Sequence, residues 1–252
     1  MNTDLELAER MTRAAGDVLR EYYGRKPEGL GSKSSTTDLV SDADREAERA
    51  IRELLEAERP DDGLLAEEGS HAEARSGRRW IVDPLDGTIN FLYGFPAWAV
   101  SIALEDADGL ALGVIHSPLQ EETFTAIRGE GAQLDGRVLA VNDRRELAGA
   151  LVATGFSYEP DRRAEQAEVV RELLPRVRDI RRAGAAALDL AWLAAGRVDA
   201  FYERGLKAWD RAAGDLLVRE AGGVSGSLAG EPPGMIAAAT PQLFEELSAL
   251  VR

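Results

Sequence analysis

The chain has 252 residues, 44% of them hydrophobic and 30% charged, with a formal net charge of −15, two histidines and no cysteine. That length admits one large or two small domains around a substantial core, and the charge argues against a nucleic-acid backbone or an anionic membrane as partner. Without cysteine there is no disulfide, thiolate metal site or cysteine nucleophile, and His71 and His116 are too few for a histidine cage. Chemistry must then rest on carboxylates, hydroxyls and backbone. No apolar run reaches the ~18 residues that span a bilayer. The opening MNTDLELAER is acidic and amphipathic, unlike a signal peptide, so a cytoplasmic location is expected.

Residues 3–23 place Leu7, Met11, Ala15 and Leu19 at helical spacing. A Gly- and Ser-rich loop follows and carries Lys33, which on its own reads as a solvated loop lysine. Ser41 and Asp44 make a shortened capping box for a helix running to about Glu58, before Pro60. Residues 63–69 read as a short strand ending in Glu67 and Glu68, a pair that in isolation is usually solvated. A polar loop over 75–79 leads into WIVDPLDGTINF, residues 80–91.

This stretch organises the chain. Its apolar run ends a buried strand, Asp83 follows, and Pro84, having no N–H, is expected to end the sheet ladder there. Asp86-Gly87 is a turn and Thr88 begins a helix, with Asp or Gly as cap. Two carboxylates three residues apart on a rigid strand-to-helix turn suit a divalent cation, and free N–H groups at the helix start suit a phosphate. A plain helix cap is the simpler alternative. The dehalogenase-type phosphatase loop, with its D-x-D-G-T, is a near look-alike, but here the spacing is D-x-x-D with a proline between.

After Phe91 the apolar period becomes 2. Strands over 98–105, 110–116, 122–127 and 132–141 form an antiparallel meander with turns at Asp108-Gly109, 129–131 and Asp135-Gly136. His116 lies in a strand and reads as a packed core histidine. The second half alternates strands (150–154, 177–180, 198–202, 235–239) with helices (162–174, 185–195, 209–221, 241–251), as in a layered α/β unit. The expected organisation is an N-terminal α+β half, 1–145, with the antiparallel sheet and the metal-binding loop, and a C-terminal α/β half, 146–252. Together they make one compact unit with the site in their cleft. Asp210 sits at the start of the 209–221 helix, where an acid usually caps, and Glu203 ends the strand before it.

Taken together, EEG at 67–69, DPLDGTINF at 83–91 and WDRAAGDLLVREAGG at 209–223 resemble the signatures of the inositol monophosphatase family. KSSTTDLVSDAD at 33–44 and GAAALDLAWLAAGRVDAFYE at 184–203 match as well, in order, so the resemblance covers essentially the whole chain. It sets the dehalogenase loop aside, since Asp61-Asp62 lies upstream, where that loop needs a later acidic pair.

The resemblance implies an α+β fold, a layered αβαβα sandwich of the inositol monophosphatase and fructose-1,6-bisphosphatase type. It also implies Mg²⁺ chemistry with two to three ions. Glu67, Asp83 and the Leu85 carbonyl would hold one ion, Asp83, Asp86 and Asp210 a second, and a third would sit near Glu67. Asp44 and Thr88 would orient and deprotonate the attacking water, making them catalytic with Glu67. The Gly87 and Thr88 N–H groups would bind phosphate. Glu203, the 184–186 backbone (Gly184, Ala185, Ala186) and Asp210 would meet the rest of the substrate, with Lys33 and Glu68 behind the metal ligands. Ala185 and Ala208 stand where inositol-specific members carry Thr and Cys, which leaves the substrate open between inositol phosphate, histidinol phosphate and fructose 1,6-bisphosphate. Glu203 favours a polyol or sugar phosphate over a nucleotide. A lithium-sensitive homodimer acting on a small phosphate monoester is expected, without nucleic-acid or membrane partners. A metal-binding but inactive regulatory homologue is the non-enzyme alternative.

Overall fold

Two amphipathic helices open the chain. Helix α1 (Thr3–Tyr22) buries Leu7, Ala8, Met11, Ala15 and Leu19, and α2 (Asp42–Glu58) buries Ala43, Ala47, Ile51 and Leu55 at every fourth residue. Their outer faces are laced with exposed pairs such as Arg49–Glu53 and Arg52–Glu56. These add only tenths of a kcal/mol each, so the buried stripes hold the helices in place. The computed structural model describes residues 3–24, 42–230 and 232–251; Lys33 and Ser41 lie outside them.

Strands β1 (Gly63–Ala66), β2 (His71–Ala72) and β3 (Arg79–Asp86) lead to the short helix α3 (Thr88–Tyr93). The meander follows as β4 (Ala99–Asp106), β5 (Gly109–Ser117), β6 (Glu122–Ile127), β7 (Gly131–Leu134) and β8 (Arg137–Val138). The eight form one sheet in the order β2-β1-β3-β4-β5-β6-β7-β8, in which β1 and β3 run parallel and the other pairs antiparallel. Asp135 and Gly136 turn the expected 132–141 strand back on itself, at φ +48° and +77°. His116 packs as read, its Nδ1 3.0 Å from the Thr123 hydroxyl, and burial holds its pKa down.

The second half runs β9 (Leu151–Thr154), α4 (Pro160–Leu173), β10 (Asp179–Arg181), α5 (Ala186–Ala194), β11 (Ala200–Arg204), α6 (Ala208–Glu220), β12 (Val224–Leu228), β13 (Gly234–Ala238) and α7 (Pro241–Leu250). Its sheet has the order β10-β9-β11-β13-β12. The sequence reading misses β12, because VSGSL at a sheet edge lacks the apolar content of a central strand. It also misses the two-residue β2.

The layers follow from the two faces of each strand. In β3 and β4, Trp80, Val82, Val100, Ile102 and Leu104 pack on α1 and α2, while Ile81, Ala99 and Ala103 face α5 and α6. The second face is built for close approach: a Cβ on Gly113 of β5 would lie 2.9 Å from the Ala213 Cα of α6. Helices α5 and α6 pack between the two sheets, with α4 and α7 outside the second, giving the αβαβα sandwich. Among the described residues, no helix is long and apolar enough to cross a membrane.

Candidate active site

Parallel pairing of β1 with β3 sets the first contact. Ala66 stands opposite Val82 and the Glu67 N–H reaches the Val82 carbonyl at 3.2 Å, so Glu67 comes beside Asp83 at the strand ends. The turn holding Glu67 is pinned from α2: Glu48 accepts the N–H groups of Glu68 and Ser70 at 2.9 and 3.1 Å. Glu48 lies one helical turn beyond Asp44, so the two acids share the face that looks toward the site.

Pro84 does not end the ladder, contrary to the expectation. Strand β3 continues to Asp86 through a bulge, two residues between Asp83 and Asp86 standing against one, Val100, between Ser101 and Ala99. A bulge leaves a position unpaired, so the missing N–H of proline costs nothing there. The Leu85 N–H turns back to Asp83 Oδ1 at 3.0 Å, and the Thr88 hydroxyl donates to the Leu85 carbonyl at 3.1 Å. Gly87 then takes φ +91° as the α3 cap. A Cβ there would meet the Ala97 carbonyl at 2.8 Å, so glycine is required by both conformation and space. Gly87→Ala is expected to lower stability by about 2–4 kcal/mol, read as a drop in the thermal midpoint.

Asp86 reaches across the molecule. Its oxygens accept the Ala186 and Ala187 N–H groups at 3.2 and 2.8 Å. Those are orphan donors of the first turn of α5, whose own cap residue, Ala185, offers no side-chain acceptor. A carboxylate at that positive helix end is favourable, and each oxygen keeps a lone pair. The Ala186 N–H, expected to face the substrate, donates to Asp86 instead, although Ala186 lines the cavity. Asp210 is the third residue of α6 and accepts the Lys207 N–H at 2.6 Å, so it does cap. Its carboxylate nonetheless meets those from the other half: ligand atoms of Glu67, Asp83 and Asp210 lie within 4.8 Å of one another.

Glu203 lies within β11 rather than past its end. Its carboxyl group occupies the space above Gly155, where a Cβ would approach within 2.1 Å. The cavity that these residues surround has a volume of about 250 Å³. Beyond the expected residues, Tyr158, Arg182, Arg204 and Lys207 line it. None of these four stands in a recognisable motif.

Electrostatics mark the site as one that needs cations. Burial, followed by neighbouring carboxylates, raises Asp83, Asp86 and Asp44 well above the usual range; for Asp44 the neighbours are Glu68, Glu67 and Glu48, opposed by a hydrogen bond with Thr88. Glu67 is pushed up to about 7, Glu203 to about 8 and Asp210 to about 6, burial leading in each. So many buried acids cannot all ionise without positive charge among them. Hard divalent cations take such all-oxygen sets, so the donors present fit a metal.

A layered two-sheet αβ protein with an acidic, metal-competent cleft is the class that fold and site define. The sequence profile of the inositol monophosphatase family matches residues 1–252, and the chain belongs to that family. It is similar to the Nus factor SuhB of Pasteurella multocida, 41% identical over 98% of this chain and 95% of that protein. The crystal structure of the extragenic suppressor protein SuhB from Bartonella henselae superimposes with a TM-score of 0.93 at 40% identity, covering 100% of this chain and 99% of that one. An inositol monophosphatase from Anabaena gives 0.84 at 34% identity, covering 98% and 94%.

Proposed function

We propose that this protein is a Mg²⁺-dependent phosphomonoesterase that hydrolyses inositol monophosphate or a similar polyol or sugar phosphate with water as nucleophile. The observation that carries this reading is the convergence of Glu67, Asp83 and Asp210, from three separate elements, within 4.8 Å. Glu67, Asp83 and the Leu85 carbonyl would hold one ion, Asp83, Asp86 and Asp210 a second, and a weaker third would sit near Glu67. When bound, such ions draw in the phosphate, acidify water and neutralise the departing oxygen.

The chain's own groups do the rest. Asp44 and Thr88, joined by a hydrogen bond, orient the attacking water, and Asp44 accepts its proton. The Gly87 and Thr88 N–H groups receive phosphate oxygens, and Glu203 takes substrate hydroxyls; Gly184 and Ala186 line the wall, whereas Ala185, expected there, is buried behind them. Glu68 would support the metal ligands from behind. The two halves, 1–145 and 146–252, act as one unit, since Asp86 and Asp210 serve the same cleft from either side. A cytoplasmic, lithium-sensitive homodimer completes the proposal.

Phosphate release by the purified protein with excess Mg²⁺ tests it on inositol 1-phosphate, fructose 1,6-bisphosphate, histidinol phosphate and adenosine 3′,5′-bisphosphate. Metal-dependent turnover of one or more polyol or sugar phosphates is expected. Release from none of the panel would sink the enzyme reading. The name Nus factor carried by full-length relatives favours a second reading, a regulatory role through a partner, alongside catalysis or in its place. Asp210→Asn separates the two: it should abolish turnover and leave partner binding intact.

A further inference from the structure

The cavity is not acidic throughout. Two arginines reach its wall, Arg182 and Arg204. Arg204 is committed, donating to the carbonyls of Ala229 at 2.7 Å and Val251 at 3.1 Å. Arg181, next door, pairs with Asp179 at 2.7 Å. Arg182 makes no hydrogen bond or ion pair among the described residues.

Its guanidinium nevertheless has a defined place. Arg182 stands on the link between β10 and α5, with its Nη1 over Gly184, where a Cβ would come within 2.4 Å. Gly184 takes φ +89° and stays bare. The link is held from α3 by Asn90, whose amide donates to the Ala183 carbonyl at 2.9 Å. The Arg182 charge pulls Glu203, Asp189 and Tyr158 downward in pKa against the upward push of burial, and it is not among the main influences on Glu67, Asp83 or Asp210. Its charge is therefore felt at Glu203 and Asp189, and Glu203 in turn neighbours Asp210. Tyr158, 51% exposed, lines the cavity as well.

An exposed guanidinium that makes no hydrogen bond or ion pair among the described residues, standing in the cavity wall beside Glu203, presents a planar fork of donors that matches phosphate or carboxylate in bidentate fashion. We infer that Arg182 is a specificity-determining residue that receives a second anionic group, phosphate or carboxylate, on the alcohol portion of the substrate. The phosphate to be cleaved lies meanwhile against Glu67, Asp83 and Asp210. This rests on the phosphatase reading and narrows it from polyol phosphates at large to those carrying a second anionic group. Arg204 is turned away from that role, because its Nη1 and Nη2 both already donate to backbone carbonyls.

Arg182→Gln tests the assignment with matched pairs: inositol 1-phosphate against inositol 1,4-bisphosphate, and glycerol 2-phosphate against 2-phosphoglycerate. KM for the member with two anionic groups should rise about 10- to 100-fold with kcat retained, while that for its counterpart with one changes by less than about 3-fold. Arg182→Lys, a point charge without the fork, should recover only part of the loss. A loss confined to the bisphosphate assigns a phosphate, and one confined to the phosphoglycerate assigns a carboxylate. Equal losses within both pairs, or none in either, overturn the inference. Calorimetric titration of inositol 1,4-bisphosphate reads the contact without turnover. About 10-fold weaker binding by the variant supports it, and equal affinity for this ligand and for 2-phosphoglycerate alike overturns it. If the unaltered protein releases phosphate from nothing yet shows that difference in affinity, the phosphatase reading falls and the Arg182 contact stands.

Discussion

Asp83→Asn is expected to move activity and stability in opposite directions. Asp83 is 1% exposed, faces Glu67, Asp86 and Asp210, and in the proposed ligand set would serve both ions. Its amide counterpart keeps the shape and still accepts the Leu85 N–H, so the bulge survives. The negative charge that balances the cations is lost, and phosphate release should fall by on the order of 10³-fold. In the metal-free protein the same change removes an acid whose burial beside other carboxylates costs stability, protonated or ionised, so the thermal midpoint should rise. Each kcal/mol gained appears as about 2–4 °C in a chain of this size. Active sites commonly hold stability back in this way. A variant with normal turnover would contradict the ligand assignment, and one that loses turnover through a large drop in midpoint would contradict the electrostatic account.

The second large effect is the pH dependence of the metal-free protein. Glu67, Glu203 and Asp210 have folded pKa values of about 7, 8 and 6 against unfolded values of 4.5, 4.5 and 3.8, so each is raised by folding. Between the unfolded and folded values the native state binds more protons than the unfolded chain, and stability falls as pH rises. The contribution is fully present below about pH 4 and is lost progressively to about pH 8, a total of several kcal/mol. Excess Mg²⁺ should reverse the trend, because ligands must be deprotonated to bind it and ligand binding stabilises by mass action. Thermal midpoints at pH 5 and pH 8, with EDTA and with Mg²⁺, read both effects. Metal-free midpoints that are level or rise between those pH values would refute the account.

What was legible in the sequence follows from locality. The stripes of α1 and α2, the meander and the alternation of the second half are periodic signals within single segments, and they give the elements and a layered second half, while the αβαβα arrangement of the whole is what the family resemblance implies. Local chemistry also placed Gly87 at the start of α3 and Asp210 in the first turn of α6. Three features were not local. Pro84 reads as a strand breaker until the partner strand β4 supplies a bulge for it. The Asp86 carboxylate caps a helix a hundred residues away, which takes the Ala186 N–H from the role expected of it. Strand β12 is held by pairing with β13 rather than by its own composition. Arg182 was silent for a different reason: a lone arginine in a chain rich in arginine carries no spacing signal, and only the cavity distinguishes it.

The measurement that bears most directly on the central claim is phosphate release from inositol 1-phosphate by the unaltered protein, followed through EDTA treatment and return of Mg²⁺. Turnover that stops with EDTA and resumes with Mg²⁺ is the predicted result. Turnover indifferent to EDTA would contradict a reaction built on Glu67, Asp83 and Asp210.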